Sequence, residues 1–127
     1  MNGNLLDTNV IIRFLGGDTR AKELLATIEK VSIPATVMGE LYYGAYKSSR
    51  VQDNLTLIKQ SLFDFPIISI DDSIADMYGE IKEKLRKKGV QIPENDLWIA
   101  ATALSCQSVL VSFDSHFTHI EGLIIKN

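Results

Sequence analysis

Short apolar runs alternate with amphipathic helical patterns along the whole chain, and this alternation restricts the fold more than any other feature of the sequence. The apolar runs span residues 4–6, 31–33, 66–70, 109–112 and 123–126. Runs of this length suit strands that are buried on both faces of a sheet. Because strands separated by helices form βαβ units, the pattern predicts a parallel sheet of four to five strands between layers of helices.

The segments between the runs carry apolar residues at helical spacing. Asp18 or Thr19 is placed to cap a helix that continues to Lys30. Thr36 is placed to open a helix that ends near Lys47. Three more helices are predicted over 51–62, from 71 or 72 to 88, and from 94 or 95 to 106.

Length and composition limit the class of protein. A chain of 127 residues is expected to form one core, which predicts a single domain over residues 1–127. One cysteine cannot build a disulfide scaffold, and no apolar stretch approaches the length of a membrane span. These features predict a cytoplasmic protein without a membrane partner. The formal net charge of −3 means that a nucleic-acid partner must be held by a local basic patch or through a metal ion.

Acidic residues stand at points where the pattern predicts the ends of strands or the first turns of apolar helices. Asp7 directly follows the first run in NLLDTNVII, and Asp114 follows the fourth in VLVSFDSHF. Glu40 lies in IPATVMGELYYGA and Asp96 in IPENDLWIAATAL, both on helices with apolar or small neighbours. Since parallel strands end at one edge of a sheet, where ligands of such sheets bind, we expect these acids to lie close together.

Each acid also has a purely structural interpretation. Asp7 could cap a helix that starts at Thr8, and Asp96 could interact with the dipole of its helix. Around Glu40 and Asp96, however, no Lys or Arg stands three or four positions away on the same helix. Unpaired carboxylates beside a core usually need a cation. Clustered oxygen ligands without His or Cys favour Mg²⁺ or Mn²⁺ over zinc, and these ions support phosphodiester hydrolysis.

Four segments in order, LLDTNVII, GELYYGA, IPENDLWIAATAL and LVSFDSHF, resemble the successive motifs of the PIN-domain ribonucleases, specifically the VapC toxins. The resemblance covers residues 4 to about 117 and implies a PIN-like three-layer α/β/α fold. It also implies an Mg²⁺- or Mn²⁺-dependent endoribonuclease toxin of a type II toxin–antitoxin system. Such an enzyme hydrolyses RNA phosphodiester bonds and thereby inhibits translation or growth. The implied partners are an RNA substrate, a VapB-type antitoxin and a second copy of the chain.

The resemblance also assigns the site residues. Asp7, Glu40, Asp96 and Asp114 match the catalytic and metal-binding acids, with Asp7 and Asp96 as the most direct ligands. Asn9 matches the polar residue after the first acid. Ser112 matches a position that is usually Thr in the family, and the exchange keeps the hydroxyl group.

Other polar and aromatic residues admit two interpretations. The basic run over 82–89 is typical of a solvated helix end, and as an alternative it could guide RNA, as could Arg13, Lys47 and Arg50. His116 is expected to have a structural role or to lie on the surface, because the metal chemistry does not require an imidazole. The aromatic residues Tyr42, Tyr43, Tyr46 and Trp98 are expected in the core or at a protein interface.

Two other functions compete with a nuclease. A PIN-like domain could bind RNA or protein without cutting, although none of the matching acids is missing. A phospho-accepting receiver domain fits less well, because the first strand is followed by one Asp and the fourth strand supplies no Lys.

Overall fold

The computed structural model describes residues 3–127 and contains a five-stranded parallel sheet. The strands lie in the order β3-β2-β1-β4-β5, and every neighbouring pair is parallel. Their bounds are Asn4–Leu6 (β1), Val31–Pro34 (β2), Ile67–Ile68 (β3), Val109–Val111 (β4) and Ile125–Lys126 (β5). The sheet between helices confirms the predicted α/β/α class.

The helices fill the connections between the strands. Their bounds are Thr8–Leu15 (α1), Thr19–Ala26 (α2), Ala35–Tyr46 (α3), Val51–Ser61 (α4), Asp72–Lys88 (α5) and Glu94–Ser105 (α6). A short 3₁₀ helix, Ser115–His119, lies between β4 and β5. Helix α5 packs along α6, α3 packs along α4, and α1 contacts both α2 and α3. The core runs through the sheet, where Leu5, Leu110 and Val111 are fully buried.

Two helix ends differ from the prediction. Helix α2 stops at Ala26 instead of Lys30, where the Thr27 hydroxyl donates to the Leu24 carbonyl at 2.8 Å. Lys30 itself has a positive φ of 52°, which a helix cannot contain. Helix α3 begins at Ala35, with Pro34 before its first turn and no side-chain cap, so the prediction that Thr36 caps it was wrong.

Helix α1 follows β1 without a loop. Its N-cap is Asp7, whose side chain accepts from the Thr8 amide. The sequence indicated this helix only as an alternative role for Asp7. The structure therefore has a short helix exactly where the chain leaves the centre of the sheet, and this fixes the direction of the Asp7 carboxylate.

Candidate functional site

The site lies where the topology of the sheet reverses. From β1 the chain proceeds to β2 and β3 on one side, and it returns to β4 and β5 on the other. Strands β1 and β4 are neighbours, with Leu6 opposite Val111. The Asp7 amide extends this pairing by donating to the Val111 carbonyl at 2.9 Å. Such a switch point is where open α/β sheets bind their ligands, and Asp7 and Asp114 both follow strands that end there.

Asp7 is almost completely buried, with 3% of its surface exposed. One oxygen, Oδ1, accepts from the Thr8 amide at 2.8 Å, and Oδ2 accepts from the Ser112 hydroxyl at 2.6 Å. Burial raises the pKa of this carboxyl, the two hydrogen bonds oppose the shift, and the charges of Asp96 and Asp114 add to it. Asp7 is thus both a helix cap and a member of an acidic cluster.

Ser112 and Asn9 hold the segment after β4 in place. The Ser112 hydroxyl donates to Asp7 and also accepts from the Asp114 amide at 3.0 Å. Asn9 Oδ1 accepts from the Phe113 amide at 3.2 Å. These contacts bridge α1 and the end of β4, so both polar residues that the resemblance singled out position the loop that carries Asp114.

Glu40 approaches the same region from α3. Its Oε1 is buried and has no hydrogen-bond partner in the described part of the chain. Burial raises the pKa of this carboxyl, and Asp7 and Asp96 raise it further by charge repulsion. The nearby Thr8 side chain opposes this rise in the pKa of Glu40. The Thr8 hydroxyl oxygen, Oγ1, is buried like Glu40 Oε1 and likewise has no partner within hydrogen-bonding geometry. A buried oxygen of this kind is a position that calls for a cation or a bound water.

Asp96 and Asp114 meet at the open side of the site, and His116 joins them. Asp96 lies in the first turn of α6, and Asp114 caps the 3₁₀ helix by accepting from the His116 amide at 2.9 Å. His116 Nδ1 lies 3.3 Å from Asp96 Oδ2 and 3.1 Å from Asp114 Oδ1. Burial and the charge of Asp114 raise the pKa of Asp96, while His116 opposes the shift.

The structure therefore groups some of the predicted residues more closely than others. Ligand atoms of Asp96, Asp114 and His116 all lie within 4.8 Å of one another, and Asp7 and Glu40 stand outside this group. The charges of the predicted acids nevertheless act on one another, because each raised pKa has another of these acids among its causes. From the sequence, a structural or surface role was expected for His116, and the structure places its ring beside Asp96 and Asp114. Its position two residues after Asp114 was the available signal.

Within residues 3–127, no Lys or Arg forms an ion pair with any of the predicted acids. The basic run at the end of α5 is largely paired elsewhere: Lys82 with Glu94, Arg86 with Glu83, and Lys88 with Glu121. A cleft of about 710 Å³ lies between this part of α5 and the start of α6, and none of the predicted acids lines it. The structure thus supports the interpretation of the run as a solvated helix end.

These features define an α/β protein with an unneutralised acidic centre at the switch point of its sheet. The chain matches the family model for the PIN domain over residues 5–123. It is 31% identical over 128 residues to Ribonuclease VapC2 of Rickettsia felis, covering 97% of this chain and 96% of that protein. The chain therefore belongs to the PIN-domain family, among its VapC ribonucleases.

Solved structures agree with this assignment. VapBC2 from Rickettsia felis, bound to a DNA fragment from the promoter, superposes with a TM-score of 0.89 at 30% identity, covering 100% of this chain and 98% of that one. VapBC-5 of Mycobacterium tuberculosis, from the VapBC family of toxin–antitoxin systems, gives a TM-score of 0.76 at 26% identity, covering 98% and 95%. Family membership removes the receiver domain as an alternative.

Among the described residues, no helix is long and apolar enough to cross a membrane.

Proposed function

We propose that this chain is a metal-dependent endoribonuclease that acts as the toxin of a type II toxin–antitoxin pair. It hydrolyses RNA phosphodiester bonds and thereby inhibits translation or growth. The observation that carries the proposal is that Asp7, Glu40, Asp96 and Asp114 lie near enough to one another for their charges to interact, and no Lys or Arg is paired to them in the described chain. Membership among the VapC ribonucleases supplies the reaction class.

The donor set fits a divalent cation. Asp7 and Asp96 would hold it most directly, with Glu40 and Asp114 in support, and carboxylate oxygens suit Mg²⁺ or Mn²⁺. The partnerless Glu40 Oε1 and the raised pKa values of Asp7, Glu40 and Asp96 are what such a site shows without its ion. When bound, the ion neutralises the scissile phosphate and lowers the pKa of an attacking water.

The residues around the acids orient them for this chemistry. Ser112 holds Asp7 Oδ2 and the Asp114 amide at once, so the two strand ends keep a fixed spacing. Asn9 fixes the Phe113 amide and so the direction in which the loop leaves the sheet. These hydrogen bonds lie within the protein itself, so its own residues fix the positions of the acids for this chemistry.

Two arginines beside the site are the best candidates to guide RNA. The guanidinium groups of Arg13 and Arg20 lie 4.7 Å and 4.5 Å from the ring centre of Phe113, next to Asp114. Both residues are exposed. Their only close carboxylate in the described chain is Asp18, whose Oδ2 is 4.0 Å from Arg13 Nε. Arg20 in particular remains free to contact an RNA phosphate.

The proposal extends to partners and location. Residues 1–127 form a single PIN domain that acts in the cytoplasm, pairs with a second copy of itself and is inhibited by a VapB-type antitoxin. The solved relatives of the VapBC type support the antitoxin. The exposed aromatic side chains of Tyr43 and Tyr46 on α3 are suited to receive an apolar segment of it. Trp98 is not available for this role, because its ring stacks on Tyr78 at 3.9 Å.

The test is cleavage of a pool of structured RNAs by the purified protein in Mg²⁺, in Mn²⁺ and in EDTA. Asp7→Asn and Asp96→Asn should each abolish metal-dependent cutting. Asp76→Asn is the matched control, since Asp76 is an exposed acid of α5 outside the site. RNA binding without cutting, unchanged by either site substitution, would support the non-catalytic alternative instead.

A further inference from the structure

His116 faces two of the predicted metal-binding acids at once. Its Nδ1 atom lies 3.1 Å from Asp114 Oδ1 and 3.3 Å from Asp96 Oδ2. The two carboxylates come from different elements, α6 and the segment after β4. An imidazole nitrogen is therefore placed where the oxygens of two separate elements converge.

The local backbone holds the imidazole in this position. The His116 amide donates to Asp114 Oδ1, and this hydrogen bond in the first turn of the 3₁₀ helix fixes His116 relative to Asp114. Phe117, the next residue, is fully buried and anchors this helix in the core. Half of the His116 side-chain surface stays exposed, at 50%, so solvent and ligands reach the ring.

The spacing of the three groups fits one shared ion. In a six-coordinate site with bonds of about 2.1 Å, neighbouring ligand atoms stand about 3 Å apart. Both distances from Nδ1 are close to this value, and all three ligand atoms lie within 4.8 Å of one another. A neutral imidazole nitrogen offers its lone pair to transition metals far more readily than to Mg²⁺.

We propose, building on the function proposed above, that His116 Nδ1 is a further metal ligand beside Asp96 and Asp114. The nitrogen makes the site select a transition-metal dication such as Mn²⁺ over Mg²⁺. The carboxylates alone would bind both ions through oxygen, so the imidazole is the element of metal selectivity in this centre.

The direct test is pulsed electron paramagnetic resonance of the Mn²⁺-loaded protein labelled with ¹⁵N-histidine. A coordinated imidazole nitrogen should couple to the Mn²⁺ electron spin in the wild type and in His119→Asn. The coupling should vanish in His116→Asn. His119 is the matched control, because it is exposed and belongs to the same 3₁₀ helix. Asn places a hydrogen-bonding group near the position of Nδ1 but offers oxygen instead of an imidazole nitrogen.

Metal titrations supply the second readout. Loss of one ligand should weaken Mn²⁺ binding of His116→Asn by about tenfold or more and change Mg²⁺ binding much less. No nitrogen coupling in a protein that binds Mn²⁺ would overturn the proposal, as would equal losses for both ions. A failure of the proposed nuclease function gives a separate result. RNA cleavage would then be insensitive to Asp7→Asn and Asp96→Asn, whatever the resonance spectrum shows.

Discussion

Ser112 links the two acids that follow the central strands, and its hydroxyl is fully buried. Ser112→Ala should leave the Asp114 amide and one oxygen of Asp7 without their partner, which costs about 1–3 kcal/mol of unfolding free energy. Ser112→Thr keeps the hydroxyl and so the bridge, but its added methyl group at this fully buried position carries a packing cost of about 1–3 kcal/mol unless the neighbouring side chains shift. Urea unfolding of the metal-free proteins measures both values. Equal stability of Ser112→Ala and wild type would show that the bridge contributes nothing.

Asp7 combines a favourable cap with an unfavourable buried charge. Because its pKa is raised in the folded state, the folded protein binds more protons than the unfolded chain above the ordinary pKa of 3.8. The unfolding free energy of the metal-free wild type should therefore fall, relative to that of Asp7→Asn, as the pH rises from about 3.8 towards neutrality. At pH 7, Asp7→Asn without metal should be as stable as wild type or more stable.

The check is the difference in unfolding free energy between the two proteins from pH 4 to pH 8 in EDTA. Mg²⁺ should stabilise the wild type and lose most of that effect in Asp7→Asn, because binding to the folded state alone raises stability. A strongly destabilised Asp7→Asn protein in EDTA would mean that the hydrogen bonds of the charged carboxylate to the Thr8 amide and the Ser112 hydroxyl outweigh the repulsion.

Among the elements, α5 shows what a cap far from the site contributes. Asp71 Oδ1 accepts from the Ile74 amide at 3.0 Å, and Gly89 ends the helix with a left-handed φ of 72°. Asp71→Ala should cost about 0.5–2 kcal/mol of unfolding free energy, as loss of an N-cap usually does. RNA cleavage should be unchanged, since no acid of the site lies on α5. Thermal unfolding together with the cleavage assay separates the two effects, and a loss of activity at intact stability would contradict this account.

Helix and strand patterns in the sequence predicted most elements because packing and capping agree there. The sequence offered Asp18 or Thr19 as the cap of α2 and Asp71 or Asp72 as the cap of α5, and in the structure Asp18 and Asp71 are the caps. The errors occurred where a local contact overrode the pattern. Thr27 ends α2 by bonding to the Leu24 carbonyl, and Pro34 leads directly into α3. The edge strand β3 has two residues and is shorter than its apolar run, and both Ile67 within the strand and Ile70 beyond it are exposed.

The sequence predicted which acids lie in the candidate site, but not how their side chains are arranged. The positions of Asp7 and Asp114 after two strands follow from the sequence, because parallel strands end at one edge. That His116 turns towards Asp96 depends on the 3₁₀ helix and on the packing of Phe117, which no periodic pattern encodes. The Ser112 bridge likewise depends on the register of β1 and β4.

At the scale of the whole molecule, a chain with a net charge of −3 needs a local positive surface or a bound metal ion to attract RNA. Under the proposed function, Arg13 and Arg20 beside Phe113 would provide that surface. Replacing both with Gln should raise the KM for RNA several-fold and leave kcat nearly unchanged. The dependence of log affinity on log salt should become shallower by about 1.4, which is about 0.7 for each phosphate contact on a single strand.

The matched control replaces Lys30 and Lys59 with Gln, because both lysines are exposed and neither belongs to a segment proposed to contact RNA. The control removes the same number of positive charges from the molecule, so a general loss of positive charge would affect both double variants alike. Only a local contact with RNA makes the Arg13 and Arg20 variant different. If that variant instead loses stability and keeps the salt dependence of the wild type, the two guanidinium groups serve to pack Phe113, and RNA reaches the acids by another route.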